Sequence, residues 1–351
     1  MADDLPTPQS TDTILLHSGA HALPMSMLAF GDPDRPVDVI WLHANGLNAA
    51  TYRDMLSPLG AHLRVLAIDQ RGHGGTPQQC EIANKHDAYD LRDDLLALLE
   101  IVAAERPVIL AGHSLGGCVS LLAAAEAPAR VRGVALFDPV VLSQAAEAAL
   151  IQAGGRMMAE SGLAAKARSR RNDFPSREAA LANYKGRAIF TTWPDAAVEG
   201  YVEAGFRDLP GGGVELSCAP AWESANFSAH GHDSWEAMAR IKAPVIIHRA
   251  EHGSTCSITT AADFPRPAGQ VEVITVPGST HFLPIEQPEL VRRVLLDLAP
   301  PRPFAAFRTR RARGAPRIAA SPSCLARSRR RHRRSRSWPA PRARARTVGP
   351  R

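Results

Sequence analysis

One serine in this 351-residue chain has neighbours that suit a nucleophile. Ser114 stands in Gly-His-Ser-Leu-Gly-Gly (residues 112–117), between a short apolar run at 108–111 and a Leu- and Ala-rich stretch at 118–127. These flanks predict a strand and a helix, so the serine occupies the apex of a tight strand-to-helix turn. Glycines 112 and 116 leave space where side chains would collide, and the first N–H groups of a helix suit an oxyanion. The pattern predicts a nucleophile elbow; the alternative is a glycine-rich turn whose serine only caps the helix.

A serine hydroxyl becomes a good nucleophile only when a nearby base takes its proton. Among the 13 histidines, His281 suits this role because it follows a predicted strand at 270–276 and precedes a predicted helix at 286–298. The usual histidine pKa of about 6.5 suits a base that works near neutrality. We expect the side chain of His113 to point away from Ser114, and His43 to support the turn in which it lies.

Strand and helix patterns alternate through most of the chain. An opening hairpin is expected at 13–16 and 25–29. After it we expect, in chain order, strand 37–42, helix 51–59, strand 63–68, helix 90–104, strand 108–111, helix 118–127, strand 131–137, strand 243–248, strand 270–276 and helix 286–298. This alternation predicts an α/β fold with a mostly parallel sheet covered by helices on both faces. In such sheets ligands bind beyond the carboxyl ends of the strands, where His43, Ser114, Asp138 and His281 all fall.

Residues 142–240 interrupt the alternation with an Ala-rich, helical segment. We expect this segment to be a cap or lid, inserted between the first part of the core (1–141) and its second part (241–300). Its aromatic side chains could line a pocket or form the cap's own core; they are Trp193, Tyr201, Phe206, Trp222, Phe227 and Trp235.

The net charge of +6 hides an asymmetry between the body and the end of the chain. Residues 301–351 hold 17 arginines and no lysine or acidic residue, which leaves 24 basic against 35 acidic residues, a net charge of −11, for residues 1–300. We expect the Arg-rich tail to be disordered, and the acidic body not to bind nucleic acid. Whether the tail binds nucleic acid, or is inert, stays open.

The cysteines and the hydropathy pattern indicate a reduced, soluble environment. The five cysteines are dispersed and form no CxxC pair, which argues against a disulfide framework and a zinc site. The acidic N-terminus has no apolar signal core, and no apolar run approaches the ~18 residues of a membrane span. We therefore expect a cytoplasmic protein.

Together these motifs resemble the α/β-hydrolases that use a serine nucleophile. The features that carry the resemblance are His-Ala-Asn-Gly at 43–46, Asp-Gln-Arg-Gly-His-Gly at 69–74, the elbow, the insert after Asp138-Pro139, and Gly-Ser-Thr-His-Phe at 278–282. The resemblance covers residues ~13–298 and implies an eight-stranded sheet, with the helical cap inserted after the sixth strand. It implies Ser114 as nucleophile, His281 as base, and an oxyanion hole made by the backbone N–H groups of Asn45 and Leu115.

The third member of the triad departs from the family pattern. The family usually has an aspartate in the loop after the strand at 244–248, where this chain has Ala-Glu-His-Gly at 250–253. Two carboxylates could substitute: Glu251 in that loop, and Asp138 at the end of the preceding strand. We prefer Asp138 because it leaves a strand end directly toward the site, although an aspartate before proline can also be a turn residue.

These inferences predict an enzyme that hydrolyses small, largely apolar carboxylic esters through an acyl-enzyme and needs no metal or organic cofactor. A serine nucleophile argues against the dehalogenase and epoxide-hydrolase chemistries of the fold, which use an aspartate. Two alternatives remain: hydrolysis of a carbon–carbon bond in a β-diketone-like compound with the same triad, and a binding protein that keeps the fold but has lost catalysis. The sequence does not decide the oligomeric state.

Overall fold

The computed structural model describes residues 10–18, 21–156, 162–265 and 270–299. The Arg-rich tail at 301–351, for which the sequence predicts disorder, lies outside the described residues. Eleven strands are found in the described part: β1 (Ser10–Ser18), β2 (His21–Phe30), β3 (Val39–Leu42), β4 (Val65–Ile68), β5 (Val108–His113), β6 (Val131–Phe137), β7 (Asp173–Phe174), β8 (Phe206–Asp208), β9 (Val214–Leu216), β10 (Val245–His252) and β11 (Val271–Thr280).

Eight of these strands form one sheet in the order β1-β2-β4-β3-β5-β6-β10-β11. Six neighbouring strands of this sheet run parallel: β4, β3, β5, β6, β10 and β11. Strand β2 is antiparallel to both β1 and β4. The predicted eight-stranded, mostly parallel sheet is therefore confirmed. Because these six strands run in the same direction, the residues that follow them meet at one edge of the sheet.

The helices cover both faces of this sheet. The described α-helices are α1 (Arg53–Leu56), α2 (Tyr89–Val102), α3 (Leu115–Glu126), α4 (Gln144–Gln152), α5 (Gly162–Arg168), α6 (Arg177–Tyr184), α7 (Asp195–Gly205), α8 (Pro220–Ser228), α9 (Ser234–Arg240), α10 (Leu283–Glu286) and α11 (Pro288–Leu298). Five short 3-10 turns join them: Ala49–Tyr52, Ser57–Ala61, Ile82–Asn84, Ala188–Thr192 and Ala261–Asp263. The helix expected at 51–59 is divided into two 3-10 turns around the four-residue α1, because Pro58 and Gly60 disfavour a continuous α-helix.

The side chains of a buried strand alternate between two separate apolar cores. In β3, Ile40 and Leu42 pack in one core, and Val39 and Trp41 pack in the other. Helices α2 and α3 contribute their apolar faces to the first core, and α1 and α11 to the second. This two-sided burial explains why β3 is apolar throughout rather than alternating apolar and polar.

The insert, residues 142–240, lies between β6 and β10 and contains α4 to α9. The sequence predicted it to be helical, with a loop at 210–213; the structure adds a small antiparallel sheet in the order β7-β9-β8. These strands have two or three residues each, too few to give a readable alternation. Most aromatic side chains of the insert pack on one another, as Phe190 does on Trp193 with ring centres 4.7 Å apart.

None of the described helices is long and apolar enough to cross a membrane.

Candidate active site

Ser114 occupies a strained turn between β5 and α3. Its backbone φ is +55°, in the left-handed region that side-chain-bearing residues rarely adopt. The flanking glycines make this turn possible: a Cβ on Gly112 would lie 2.4 Å from the Gly116 carbonyl oxygen, and one on Gly116 would lie 2.4 Å from the Leu42 carbonyl oxygen. The strand, the turn and the helix therefore approach one another closely, with the serine at the apex.

His281 joins Ser114 and Asp138 in one hydrogen-bonded chain. Its Nε2 lies 3.0 Å from Ser114 Oγ, and its Nδ1 lies 2.6 Å from Asp138 Oδ2. An ionised carboxylate only accepts hydrogen bonds, so the Nδ1 position carries the proton and donates it to Asp138. Nε2 then has a free lone pair that accepts the Ser114 hydroxyl proton. This is the arrangement that a general base needs to activate a serine.

Asp138 is fully buried and held by donors from β10 and the loop after it. Oδ1 accepts from the Ala250 N–H at 2.8 Å and the Ser254 hydroxyl at 2.5 Å, and Oδ2 accepts from the Thr255 N–H at 3.0 Å. Burial opposes the charge, but the hydrogen bonds from His281, Ser254 and Ala250 outweigh it, so the pKa of Asp138 lies below its usual value. The carboxylate is therefore ionised at neutral pH and fixed in orientation.

Glu251, the other candidate acid, contacts a different part of the same loops. Its Oε2 accepts the Gly278 N–H at 2.6 Å and lies 3.6 Å from His252 Nε2, and its side chain is 47% exposed. It joins the ends of β10 and β11 from the solvent side. Of the two carboxylates left open by the sequence, Asp138 is the one that the structure brings to His281.

The two expected oxyanion donors lie on neighbouring segments. Leu115 is the first residue of α3, and Asn45 lies in the turn after β3, which pairs with β5 up to Leu42 and Gly112. Neither backbone N–H donates a hydrogen bond to another group in the described part of the chain. The Asn45 side chain is engaged elsewhere, because its Nδ2 donates to the Glu223 carbonyl at 2.9 Å.

Two buried histidines support the turn at 43–46. His43 Nε2 accepts the Gln70 N–H at 2.9 Å, and His73 Nε2 accepts the Gly46 N–H at 3.1 Å. Burial is the largest cause that lowers the pKa of both rings, that of His73 to about 4, so both are neutral. His43 thus has the supporting contacts that the sequence suggested.

Two tryptophans of the insert contact the loops that carry the site. Trp222 donates its indole N–H to the Arg71 carbonyl at 3.0 Å and packs so closely on Gly72 that a Cβ there would lie 2.3 Å from Nε1. Trp193 packs on Phe282, the residue after His281, with ring centres 5.2 Å apart. The first of these aromatics packs against the core, and the second packs on the residue that follows His281.

Some residues of the site carry no sequence signal. Ser254 and Thr255, which hold Asp138, follow the loop where the family acid was expected but match no motif. Glu286 accepts from the Thr280 hydroxyl and from the Thr192 hydroxyl, both at 2.7 Å, and so links the base loop to the insert. The contacts of Ser254 and Thr255 with Asp138, and of Thr192 with Glu286, join residues far apart in the chain, so no local motif marks them.

Within the described ranges, no group of three or more His, Cys, Asp or Glu side chains is arranged to hold a metal ion.

Comparison with known proteins gives one consistent result. The family model described as "Alpha/beta hydrolase family" matches residues 39–294. The chain is 28% identical over 263 residues to 2-(acetamidomethylene)succinate hydrolase of Mesorhizobium japonicum, a match that covers 74% of this chain and 86% of that protein.

Solved structures agree on the fold. The crystal structure of E-2-(acetamidomethylene)succinate hydrolase superposes with a TM-score of 0.62 at 23% identity, covering 82% of this chain and 99% of that one. An esterase of M. tuberculosis superposes with a TM-score of 0.60 at 23% identity, covering 82% of this chain and 91% of that one.

Proposed function

The chain belongs to the alpha/beta hydrolase family and is a hydrolase, and we propose that it cleaves small, largely apolar carboxylic esters with Ser114 as the nucleophile. The observation that carries the proposal is the continuous hydrogen-bonded chain from Ser114 Oγ through both ring nitrogens of His281 to Asp138. The esterase among the structural neighbours is consistent with it.

In the first half of the reaction, His281 Nε2 takes the Ser114 proton as Oγ attacks the ester carbonyl. The carbonyl oxygen becomes an oxyanion, which the N–H groups of Asn45 and Leu115 stabilise; one such donor is commonly worth about 3 kcal/mol in the transition state. The imidazolium, stabilised by ionised Asp138, then gives its proton to the leaving alcohol. The C–O bond breaks and the acyl group stays on Ser114.

In the second half, His281 takes a proton from water, which attacks the acyl-enzyme. The second tetrahedral intermediate collapses, the proton returns to Ser114 Oγ, and a carboxylic acid leaves. The proposed preference for apolar groups is supported by Phe282, whose ring lies beside that of His281 and packs on Trp193.

The test is labelling with a fluorophosphonate probe and turnover of p-nitrophenyl acetate, butyrate and octanoate. We expect labelling of the wild-type protein at Ser114 and hydrolysis of the shorter esters, both abolished in Ser114→Ala. If the folded wild-type protein neither reacts with the probe nor turns over any ester, the proposal is wrong, and a binding protein with this fold becomes the better description.

A second candidate is hydrolysis of an N-acyl bond. It is favoured by the relative named 2-(acetamidomethylene)succinate hydrolase, most of whose length this chain matches. The same steps apply, with His281 protonating a nitrogen leaving group. Comparison of p-nitrophenyl acetate with p-nitroacetanilide, which differ only in the leaving atom, together with 2-(acetamidomethylene)succinate itself, separates the two: faster turnover of either amide substrate would favour this candidate.

A further inference from the structure

Beneath the site, a buried tyrosine and a buried histidine bridge two of its loops. Tyr52 is 1% exposed and lies in the turn after β3, and His113 is fully buried at the end of β5, directly before Ser114. Tyr52 Oη lies 2.7 Å from His113 Nδ1, and His113 Nε2 lies 2.7 Å from the backbone carbonyl oxygen of His281. The Ala44 N–H donates to Tyr52 Oη at 3.2 Å.

The Ala44 N–H and the His281 carbonyl, at the two ends of this series of hydrogen bonds, fix the direction of every bond in it. The His281 carbonyl can only accept, so His113 Nε2 carries a proton and donates it. In the neutral ring, Nδ1 then offers a lone pair, to which the Tyr52 hydroxyl donates. The tyrosine oxygen accepts from the Ala44 N–H, which can only donate. Every donor in the series therefore has an acceptor, and every acceptor has a donor.

Burial keeps both groups neutral. Removal from water, with a further contribution from the nearby His281, lowers the pKa of His113 to about 3, and removal from water raises the pKa of Tyr52. The hydrogen-bond pattern therefore persists at neutral pH.

These hydrogen bonds join three segments of the protein, and each segment carries one group of the proposed mechanism. Ala44 directly precedes the oxyanion donor Asn45, His113 directly precedes the nucleophile, and the accepting carbonyl belongs to the base itself. The His113 ring also lies beside the His281 ring, with centres 4.9 Å apart. A displacement of this pair would therefore alter the positions of the oxyanion turn and the base relative to Ser114.

We propose that Tyr52 and His113 are positioning residues that hold the oxyanion turn and the catalytic histidine in register with the nucleophile. The proposal rests on the proposed function of Ser114 and His281. Neither residue touches the reacting atoms; both act through the backbone of the groups that do.

The first test compares Tyr52→Phe with Tyr89→Phe. Tyr89 is the matched control because its Oη also accepts one backbone N–H, that of Asp233 at 3.1 Å, from a position on α2 outside this chain of contacts. Tyr52→Phe removes both buried hydrogen bonds of the hydroxyl, the one to His113 and the one from Ala44. For p-nitrophenyl acetate we expect it to lower kcat about tenfold with KM changed less than about twofold, because these bonds act on the geometry of the transition state. We expect Tyr89→Phe to keep kcat within about twofold of the wild type.

The second test separates the two hydrogen bonds of His113. In His113→Gln, the side-chain amide nitrogen can take the Nε2 position and donate to the His281 carbonyl; in His113→Asn, the amide oxygen takes the Nδ1 position and the bond to His281 is lost. We expect Gln to retain most of kcat and Asn to lose it. The ¹⁵N NMR spectrum of histidine-labelled protein should show His113 as the neutral ring protonated at Nε2.

The outcomes distinguish this proposal from the proposed function. A wild-type protein without probe labelling or turnover overturns both. An active wild type in which Tyr52→Phe matches Tyr89→Phe in kcat overturns only the positioning role. Equal losses in His113→Gln and His113→Asn, or a His113 ring protonated at Nδ1 alone, would also overturn it, because the direction of the bonds would then not matter or would be reversed.

Discussion

Replacing Asp138 by asparagine should test the proposed triad most sharply. Both carboxylate oxygens face donors only: Oδ1 faces the Ala250 N–H and the Ser254 hydroxyl, and Oδ2 faces the Thr255 N–H and His281 Nδ1. An amide offers one oxygen and one NH₂ group, so one pair of donors must lose its acceptor. With the NH₂ group toward His281, the ring must carry its proton on Nε2, where it can no longer accept the Ser114 proton.

The structure indicates a large loss of rate. The wrong histidine tautomer removes the base rather than weakening it, and the same exchange in Ser-His-Asp enzymes lowers kcat about 10⁴-fold, equivalent to ~5 kcal/mol in the barrier. The opposite amide orientation would leave the buried Ala250 N–H facing another donor, which costs about 1–3 kcal/mol of stability. We therefore expect a fall in kcat, accompanied by a lower melting temperature.

The assay compares Asp138→Asn with Glu251→Gln in kcat for p-nitrophenyl acetate and in the rate of fluorophosphonate labelling, well below both melting temperatures. Glu251 is half-exposed, and a glutamine oxygen can still accept the Gly278 N–H. We expect Glu251→Gln to stay within about threefold of the wild type, since an exposed neutral bond replaces an exposed charged one. A larger loss in Glu251→Gln, or an Asp138→Asn enzyme within tenfold of the wild type, would refute the assignment of Asp138.

Three further predictions concern the fold that supports the site. A Cβ at residue 116 would meet the Leu42 carbonyl oxygen at 2.4 Å. Gly116→Ala should therefore lower both kcat and the melting temperature, at a cost of about 2 kcal/mol in unfolding free energy. Wild-type values of both would contradict the close approach of α3 and β3. Arg71 and Asp94 form a buried bidentate ion pair. Asp94→Asn should therefore destabilise the protein by about 3 kcal/mol in urea titrations. The control is Asp93→Asn, which should cost under about 1 kcal/mol because the Asp93 side chain is half-exposed beside Arg92. Finally, acid should destabilise the protein. Burial holds the folded-state pKa of six histidines below the unfolded value of about 6.5, so below that pH the unfolded chain gains their protons first, and stability present at pH 7.5 should fall as the pH drops from 6.5 toward 4. The six are His43, His73, His113, His230, His232 and His248. The loss at pH 5.5 is at most about 1.4 kcal/mol for each histidine; buried Asp69, whose pKa burial raises to about 6, offsets part of it. A urea midpoint unchanged between pH 7.5 and 5.5 would count against neutral buried rings.

The main sheet follows from local patterns in the sequence. Strands such as β3 and β5 are continuous apolar runs because they are buried on both faces, and each ends at small or polar residues. The elbow is also encoded locally. Contacts with adjacent backbone require the two glycines around the serine, so the residues of the turn themselves reveal it. The three short strands of the insert were missed because two or three residues carry no periodicity.

The loop of His281 and the elbow were likewise readable one at a time, and the sequence analysis paired them as base and nucleophile, but the hydrogen bond itself could not be read from local residues. Ser114 and His281 are 167 positions apart, and their contact at 3.0 Å depends on the order in which β5, β6, β10 and β11 lie in the sheet. The fold class predicts that these strand ends share an edge. It does not predict which side chains at that edge come within hydrogen-bond distance.

Residues close together in the chain were enough to predict the α/β class, the tight turn at Ser114 and the loop that presents His281. Which carboxylate reaches His281 depends on tertiary contacts. Glu251 lies near the end of β10, and Asp138 follows the neighbouring strand β6. Ala250, Ser254 and Thr255 gather their donors around Asp138, whereas Glu251 turns outward to Gly278. The choice was decided by hydrogen bonds between distant segments, which form only once the strands are paired.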